Sequence, residues 1–92
     1  MSVDLNKIAK EFEMTREQLE KEGLKAFMLD KLHEYESERR ARCAKFRVET
    51  LEEMDNLIRQ GKVEEEDILD DFQNVDYLVS QVKKIKRLLD NL

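Results

Sequence analysis

The clearest periodicity in the chain lies in residues 68–92, which read ILDDFQNVDYLVSQVKKIKRLLDNL. Apolar residues recur there at alternating steps of three and four, the spacing that brings side chains onto one face of an α-helix. At 100° per residue these positions cover about 160° of the helix surface, more than one neighbouring helix buries. We therefore expect another helix of the chain on one side and a second copy of the chain, in a homodimer, on the other. The predicted core and dimer seam comprises Ile68, Phe72, Val75, Leu78, Val79, Val82, Ile85 and Leu89.

The composition predicts that the rest of the chain is helical too. The 92 residues include no Pro, no Trp and only two Gly, whereas a globular chain usually carries about 5% Pro and 7% Gly. Such a sequence offers few of the turn residues that β-sheets need. We expect an all-α single domain over residues 1–92, and not an enzyme, because a core this small leaves little room for a catalytic pocket.

Helix boundaries follow from capping residues. Thr15 with Gln18, and Thr50 with Glu53, have the spacing of capping boxes, in which the Thr oxygen accepts from a backbone N–H of the first turn. Gly61 stands where a residue that terminates a helix is expected. These positions predict helices over residues 4–13, 16–46, 51–60 and 65–92.

The two long helices are expected to pair as an antiparallel hairpin, with the two short helices covering its ends. In this arrangement Tyr35 lies level with Leu78, and Met28 lies level with Ile85. Helix 16–46 offers an apolar face to the pairing, which comprises Leu24, Phe27, Met28, Leu32 and Tyr35. The resulting architecture is a dimeric helical bundle or coiled coil.

The distribution of charge agrees with this pairing. Residues 39–47 hold five basic residues and no acidic one, whereas residues 49–76 hold eleven acidic residues and two basic ones. We expect Arg39 and Arg42 to lie near Asp67, Asp70 or Asp71 in partly exposed ion pairs. A second basic patch is expected to pair with acidic residues of helix 16–46. Its members are Lys83, Lys84, Lys86 and Arg87, and their expected partners are Glu22, Asp30 and Glu34.

Several function classes are disfavoured by charge and composition. The net charge of −5 opposes general binding of phosphates. The longest uncharged apolar run, residues 26–29, is far shorter than the roughly 18 residues that cross a membrane or form the core of a signal peptide. A single cysteine excludes an internal disulfide framework. We expect a cytoplasmic protein without membrane contact, in which Cys43 is a small apolar residue or, alternatively, forms a disulfide across a dimer axis.

Three residues of helix 16–46 have the spacing of metal ligands. Asp30, His33 and Glu36 follow one another at steps of three and share a helix face, which is half of the dinuclear site of some helical bundles. Such a site also needs carboxylates on the facing helix, whose inward positions are apolar here. We therefore expect a solvated polar face, with no metal ion, no cofactor and no catalytic residue.

Residues 8–19, IAKEFEMTREQL, have the spacing of a helix-turn-helix. Ala9 would leave room for Leu19, and Thr15 would cap the second helix. Glu13 stands where a turn glycine is usual, and the second helix is acidic on the face that would meet phosphates. A DNA-binding regulator acting through residues 8–24 is thus an alternative functional hypothesis, with weak DNA binding expected of the protein alone.

The same stretch resembles the helical half of ribbon-helix-helix proteins, as in VapB-like antitoxins. Only residues 1–4 precede the first predicted helix, so the DNA-reading ribbon of those proteins is expected to be missing or vestigial. Further stretches are similar to a group of small helical proteins of archaea and some bacteria, namely IAKEF (8–12), LKAF (24–27), VETLEEM (48–54), GKV (61–63) and LLDNL (88–92). Several of those proteins are thought to be antitoxins beside ribonuclease-like toxins such as TumE, and the resemblance implies a toxin partner.

The leading functional hypothesis is a non-catalytic interaction protein that neutralises a partner by direct binding. The acidic block of residues 64–71 has two interpretations. It is either a solvated helix start that complements the helix dipole, or a decoy that docks on the basic cleft of a nucleic-acid-cleaving enzyme. A structural coiled-coil subunit is a third possibility. The candidate partner surface comprises Leu5, Ile8, Phe12, Glu64, Asp67, Asp70 and Asp71.

Overall fold

A computed structural model describes residues 3–92 and confirms the all-α fold. Its four helices are α1 (Leu5–Glu11), α2 (Arg16–Ala44), α3 (Leu51–Arg59) and α4 (Glu65–Asp90), with no strand among the residues described. Three of the four predicted starts are correct, and the remaining boundaries lie one or two residues inside the predicted ones. Met1 and Ser2, which belong to the predicted leading segment, lie outside the described residues.

Both predicted Thr residues cap their helices, but only the first forms the predicted capping box. The Thr15 hydroxyl accepts from the Gln18 N–H at 3.1 Å, and the Gln18 side chain accepts from the Thr15 N–H at 2.8 Å. The Thr50 hydroxyl accepts from the Glu53 N–H at 3.1 Å. The Glu53 carboxylate reaches one residue further back than in a capping box and accepts from the Glu49 N–H at 2.8 Å.

Three helices end in a left-handed residue, and only one of these residues is glycine. Gly61 has φ 66°, Glu13 has φ 55° and Arg47 has φ 58°. In each case the next N–H donates to a carbonyl five residues back, as from Met14 to Ala9 at 2.9 Å. This closure satisfies carbonyls that the helix end leaves free. The sequence pointed to Gly61 alone, because non-glycine residues rarely adopt this conformation.

Helices α2 and α4 form the predicted antiparallel hairpin. The Arg42 guanidinium, near the end of α2, donates from Nη1 to Asp71 Oδ1, near the start of α4, at 2.8 Å. At equal rise along both helices, this pair places Tyr35 level with Leu78, and Met28 level with Ile85. The register predicted from charge is therefore the register observed.

The core lies where the hairpin bends, and α3 closes it. Cys43 of α2, Met54 of α3, and Ile68 and Val75 of α4 are fully buried there. The seam continues along α4 with Leu78, Val82 and Ile85, which are also buried. Two seam residues outside this line, Phe72 and Val79, are half-buried and pack against the core at the bend.

Part of the apolar stripe that we expected a second copy to cover is thus covered within the chain itself. The third helix needed by the wide apolar stripe is α3 of the same chain, which covers its first half. Burial then decreases towards the C-terminus, where Leu89 is half-buried and Leu92 is exposed.

The molecule is elongated, and its two ends differ. It measures 60 × 27 × 17 Å with a radius of gyration of 19.2 Å, against about 12 Å for a compact chain of this length. The core and α3 make up one end, which we call the α3 end. At the other end, α1 packs against the first half of α2.

Candidate interaction surfaces

Exposed apolar side chains are concentrated at the end of the hairpin opposite α3. Of the ten large apolar residues exposed among residues 3–92, eight lie on or beside α1, on α2 before residue 31, or on the last turns of α4. These eight are Val3, Ile8, Phe12, Leu24, Phe27, Leu29, Leu88 and Leu92. We call this region the apolar end. A patch of this kind on a small protein commonly marks an interaction site.

A shallow groove between α1 and α2 lies within the apolar end. Its volume is about 650 Å³, and its lining is apolar apart from Glu20: Leu5, Ile8, Leu19, Glu20, Gly23 and Leu24. A Cβ added at Gly23 would meet no heavy atom within 4 Å, so the groove is open there. The predicted surface residues Leu5 and Ile8 thus line the groove, and Phe12, the residue that follows α1, is exposed.

Leu24 and Phe27 do not pack against α4, contrary to the sequence prediction. Phe27 is 58% exposed, and Lys31 Nζ of the same helix lies 6.0 Å from the ring centroid. The half-buried positions that continue along α2 are Met28, Leu32 and Tyr35. Phe27 lies 100° around the helix from Met28, which places it beside this strip and outside the pairing.

The other predicted surface component, the acidic block of residues 64–71, begins at the α3 end with four carboxylates, residues 64–67, to which we restrict the name acidic block from here on. Glu64 and Asp67 are exposed, as are the two carboxylates between them. Among residues 3–92, none of the four side chains forms an ion pair. The predicted partner surface is therefore divided between two ends of a 60 Å molecule.

Asp71 belongs to the core, and its assignment to the partner surface is wrong. It is 7% exposed and accepts from Arg42 at 2.8 Å and from Lys45 Nζ at 3.1 Å. Desolvation opposes charge on Arg42, but hydrogen bonds to Asp71 and Glu38 outweigh it and raise the pKa of the guanidinium. Asp70, by contrast, has an exposed side chain 3.9 Å from Arg42.

The remaining predicted ion pairs differ from those observed. Arg39 pairs with Glu36 at 3.2 Å and donates to the carbonyl oxygen of Glu49 at 2.7 Å, so it does not reach the acidic block. The carbonyl is closer to Arg39 because the chain turns back over α2 after Arg47. No residue of the patch Lys83, Lys84, Lys86 and Arg87 pairs with Glu22, Asp30 or Glu34 within the described part of the chain.

Lys83 and Lys86 lie instead on the rim of a central groove between α2 and α4. The groove has a volume of about 930 Å³ and is bounded at one end by the loop before α3. Val48, Leu51, Val79 and Val82 contribute apolar surface to it. Its charged lining residues are Glu36, Arg39, Arg40, Glu49, Glu52, Lys83 and Lys86. The mixture of signs gives this groove no net preference for an anion or a cation.

The N-terminal corner has the geometry of a helix-turn-helix turn but not its charge. Ala9 is buried at the crossing of α1 and α2, and Glu13 takes the left-handed conformation of the usual turn glycine. On the second helix, Arg16 is held by Glu20 at 3.0 Å. The Glu20 carboxylate therefore neutralises a basic residue at the start of this helix, which opposes phosphate binding there.

Cys43 and His33 occupy very different environments. Cys43 is fully buried, with its thiol 3.9 Å from Met54 Sδ, and burial raises the pKa of the thiol. A disulfide across a dimer axis is therefore ruled out for the folded chain. His33 and Asp30 are exposed, and residues 3–92 contain no cluster of three His, Cys, Asp or Glu side chains able to hold a metal ion.

None of the helices described within residues 3–92 is both long and apolar enough to cross a membrane. Comparison with curated proteins and with solved structures gives no match. A family model does match, and the match extends over residues 1–92. The chain therefore belongs to the Uncharacterized protein MJ0235 family.

Proposed function

We propose that this chain is a non-catalytic interaction protein that neutralises a partner protein by binding it directly, as antitoxins do. The partner we propose is a small protein with a basic cleft, of the kind that nucleic-acid-cleaving enzymes carry. The observation that supports this is the unpaired acidic block, residues 64–67, at the start of α4. Three residues of the basic run that could have neutralised the block are engaged elsewhere, since Arg42 and Lys45 bind Asp71 and Arg39 binds Glu36.

The charge of the whole α3 end supports the same proposal. Residues 32–82 hold 14 acidic and seven basic residues, whereas the rest of the chain holds eight acidic and ten basic residues. The negative field is therefore concentrated at one end of the molecule. Such a field attracts a basic partner and accelerates the diffusional encounter.

The packing around the block suits it to direct binding. Ile68, directly after the block, is fully buried, so the first turn of α4 is anchored to the core. Carboxylates presented from an anchored helix lose little conformational freedom when a partner binds. In this arrangement the block occupies the partner's phosphate-binding positions and excludes its nucleic acid. We also propose a cytoplasmic location, which the free thiol of Cys43 fits.

The test is to co-express the chain with the product of the adjacent gene and to measure association of the purified pair. Glu64→Lys with Asp67→Lys should slow association about tenfold at low salt and flatten its salt dependence. Glu17→Lys with Asp30→Lys makes the same change of charge on the other half of the molecule and should have little effect. The proposal would be contradicted if both double variants slowed association equally, or if the two purified proteins did not bind each other.

A second candidate function, a DNA-binding regulator, is favoured by one observation. The buried Ala9 and the left-handed Glu13 reproduce the geometry of a helix-turn-helix turn. The measurement is binding of the isolated protein to duplex DNA at about 150 mM salt. Specific binding tighter than about 10⁻⁷ M would replace the proposal above.

A further inference from the structure

The surface area of the chain exceeds what a folded monomer of its size needs. The chain exposes 7310 Å² for a mass of 11.0 kDa, against about 5,600 Å² for a typical monomer of that mass. The excess of about 1,700 Å² is roughly twice what each partner buries in an interface of standard size. The fold thus leaves uncovered an area large enough for a stable contact.

Apolar side chains place this contact at the apolar end. Phe27 and Phe12 are 58% and 71% exposed, and aromatic residues are enriched in the buried centres of interfaces. The antiparallel register places Leu88 of α4 level with the turn of α2 that carries Leu24 and Phe27. Apolar residues from both long helices are therefore available at one height of the hairpin.

Helix geometry places these residues on a common face. Phe27 lies nine residues from Glu36, and Leu88 lies nine residues from Val79, and nine residues turn an α-helix by about 180°. Glu36 and Val79 both line the central groove. Phe27 and Leu88 therefore point to the opposite face, where both side chains stay exposed although α1 packs on α2 nearby.

The distribution of charge favours a second copy of this chain as the partner that covers this face. The half of the chain that contains the apolar end is almost neutral, with eight acidic and ten basic residues, whereas residues 32–82 carry a large excess of acid. A second copy can approach this end without repulsion while its own acidic half points away. Side-by-side contact in the parallel sense would instead bring two acidic ends together, which like-charge repulsion opposes.

We infer that two copies of this chain associate through their apolar ends. The contact is two-fold symmetric, with Phe27 and Leu88 at its centre and the two α3 ends pointing outwards. In such a contact the same patch faces itself, as in most homodimers. The inference does not depend on the proposed function, because it uses the other end of the molecule.

The experiment is light scattering on the full chain between about 1 and 100 µM, a range that detects dimers of micromolar affinity. The expected mass is twice the 11.0 kDa of one chain. Phe27→Asp should raise the dimer dissociation constant about thirtyfold or more, as loss of a central aromatic contact does. Phe12→Asp serves as a second variant on another helix, and circular dichroism shows whether each variant keeps its helices.

The matched control is Tyr77→Asp, which places the same charge at an exposed aromatic residue outside the apolar end. It should leave the mass of the dimer unchanged. A monomer at about 100 µM would overturn the inference, and so would a dimer that Tyr77→Asp breaks and Phe27→Asp does not. A chain that is monomeric alone and binds the adjacent gene product would overturn the inference, and loss of that complex in Phe27→Asp but not in Glu64→Lys with Asp67→Lys would assign the apolar end to that protein.

Variants at the two ends of the molecule distinguish a failure of this inference from a failure of the proposed function. Glu64→Lys with Asp67→Lys should remain dimeric while losing the partner. Phe27→Asp should become monomeric while still binding the partner through the acidic block. A variant pair that gave the reverse result would exchange the roles of the two ends and overturn the inference.

Discussion

The two ends of the hairpin are built from the same two helices, yet only one of them has a closed core. At the α3 end, α3 covers the junction of α2 and α4, and Met54 and Ile68 are inaccessible to solvent. At the apolar end, α1 packs chiefly against α2, and Leu24 and Phe27 stay exposed. A third helix in contact with both long helices is thus what turns a helical hairpin into a core.

The largest expected effect comes from opening the core. Met54→Ala should lower the free energy of unfolding by about 2–5 kcal/mol, because it removes buried apolar atoms and leaves a cavity. Leu24→Ala at the apolar end should cost less than about 1 kcal/mol, because the side chain is half exposed. Urea denaturation at low protein concentration measures both values. If both variants lowered the free energy of unfolding by a similar amount, the two ends would be equally well packed.

An intermediate effect is expected from the ion pair that joins α2 to α4. Asp71→Ala should cost about 1–3 kcal/mol, because it removes a buried acceptor from Arg42 and Lys45, whose side chains can still reach water. Asp70→Ala is the control, since Asp70 has an exposed side chain, and a change within about 0.5 kcal/mol is expected. A small effect at Asp71 would mean that the register is set by apolar packing alone.

A smaller effect is expected at the left-handed helix ends, of which one lies near the apolar end and two lie at the α3 end. Glu13→Gly and Arg47→Gly should each stabilise the chain by about 0.5–1 kcal/mol, because glycine adopts a positive φ without steric cost. Gly61→Ala should be destabilising for the same reason. Thermal unfolding compares the three variants, and a loss of stability in both glycine variants would refute the assigned backbone conformation.

The smallest effect concerns pH and is confined to the α3 end. Burial holds the pKa of Cys43 above its value in the unfolded chain. As pH rises above the ordinary thiol pKa of about 8.5, the unfolded chain loses its thiol proton first and is favoured. Stability should therefore fall from that pH until the folded-state pKa is passed. Cys43→Ala should flatten this alkaline decline in the melting temperature, and an unchanged decline would show that other groups cause it.

Periodicity, caps and charge predicted most of the fold, because each is a local property of the sequence. The buried line along α4 was read directly from apolar spacing, and the antiparallel register from the positions of opposite charges. The face of α2 was predicted less well, because Phe27 and Met28 are equally apolar and only the position of α4 decides which is covered. The left-handed conformations of Glu13 and Arg47 could not be predicted from the local sequence, because neither position holds a glycine.

The candidate surfaces were predicted in part. Leu5, Ile8 and Phe12 lie at the apolar end as amphipathic spacing suggested, but Leu24 and Phe27 were assigned to the helix interface. Asp71 was grouped with the acidic block by composition, although its spacing indicated a buried position. It stands three residues after Ile68 and four before Val75, so it occupies a seam position, and the basic run opposite could have identified it as a buried partner.

The position of the core also has a consequence for folding kinetics. Its four fully buried members, Cys43, Met54, Ile68 and Val75, all lie within about one third of the chain, between residues 43 and 75. Contacts between residues close in sequence form quickly, because little loop entropy is lost in making them. We expect the transition state for folding to contain α3 and the neighbouring turns of α2 and α4, with the hairpin extending from there. The contacts near Leu24 and Leu88 then form last and open first.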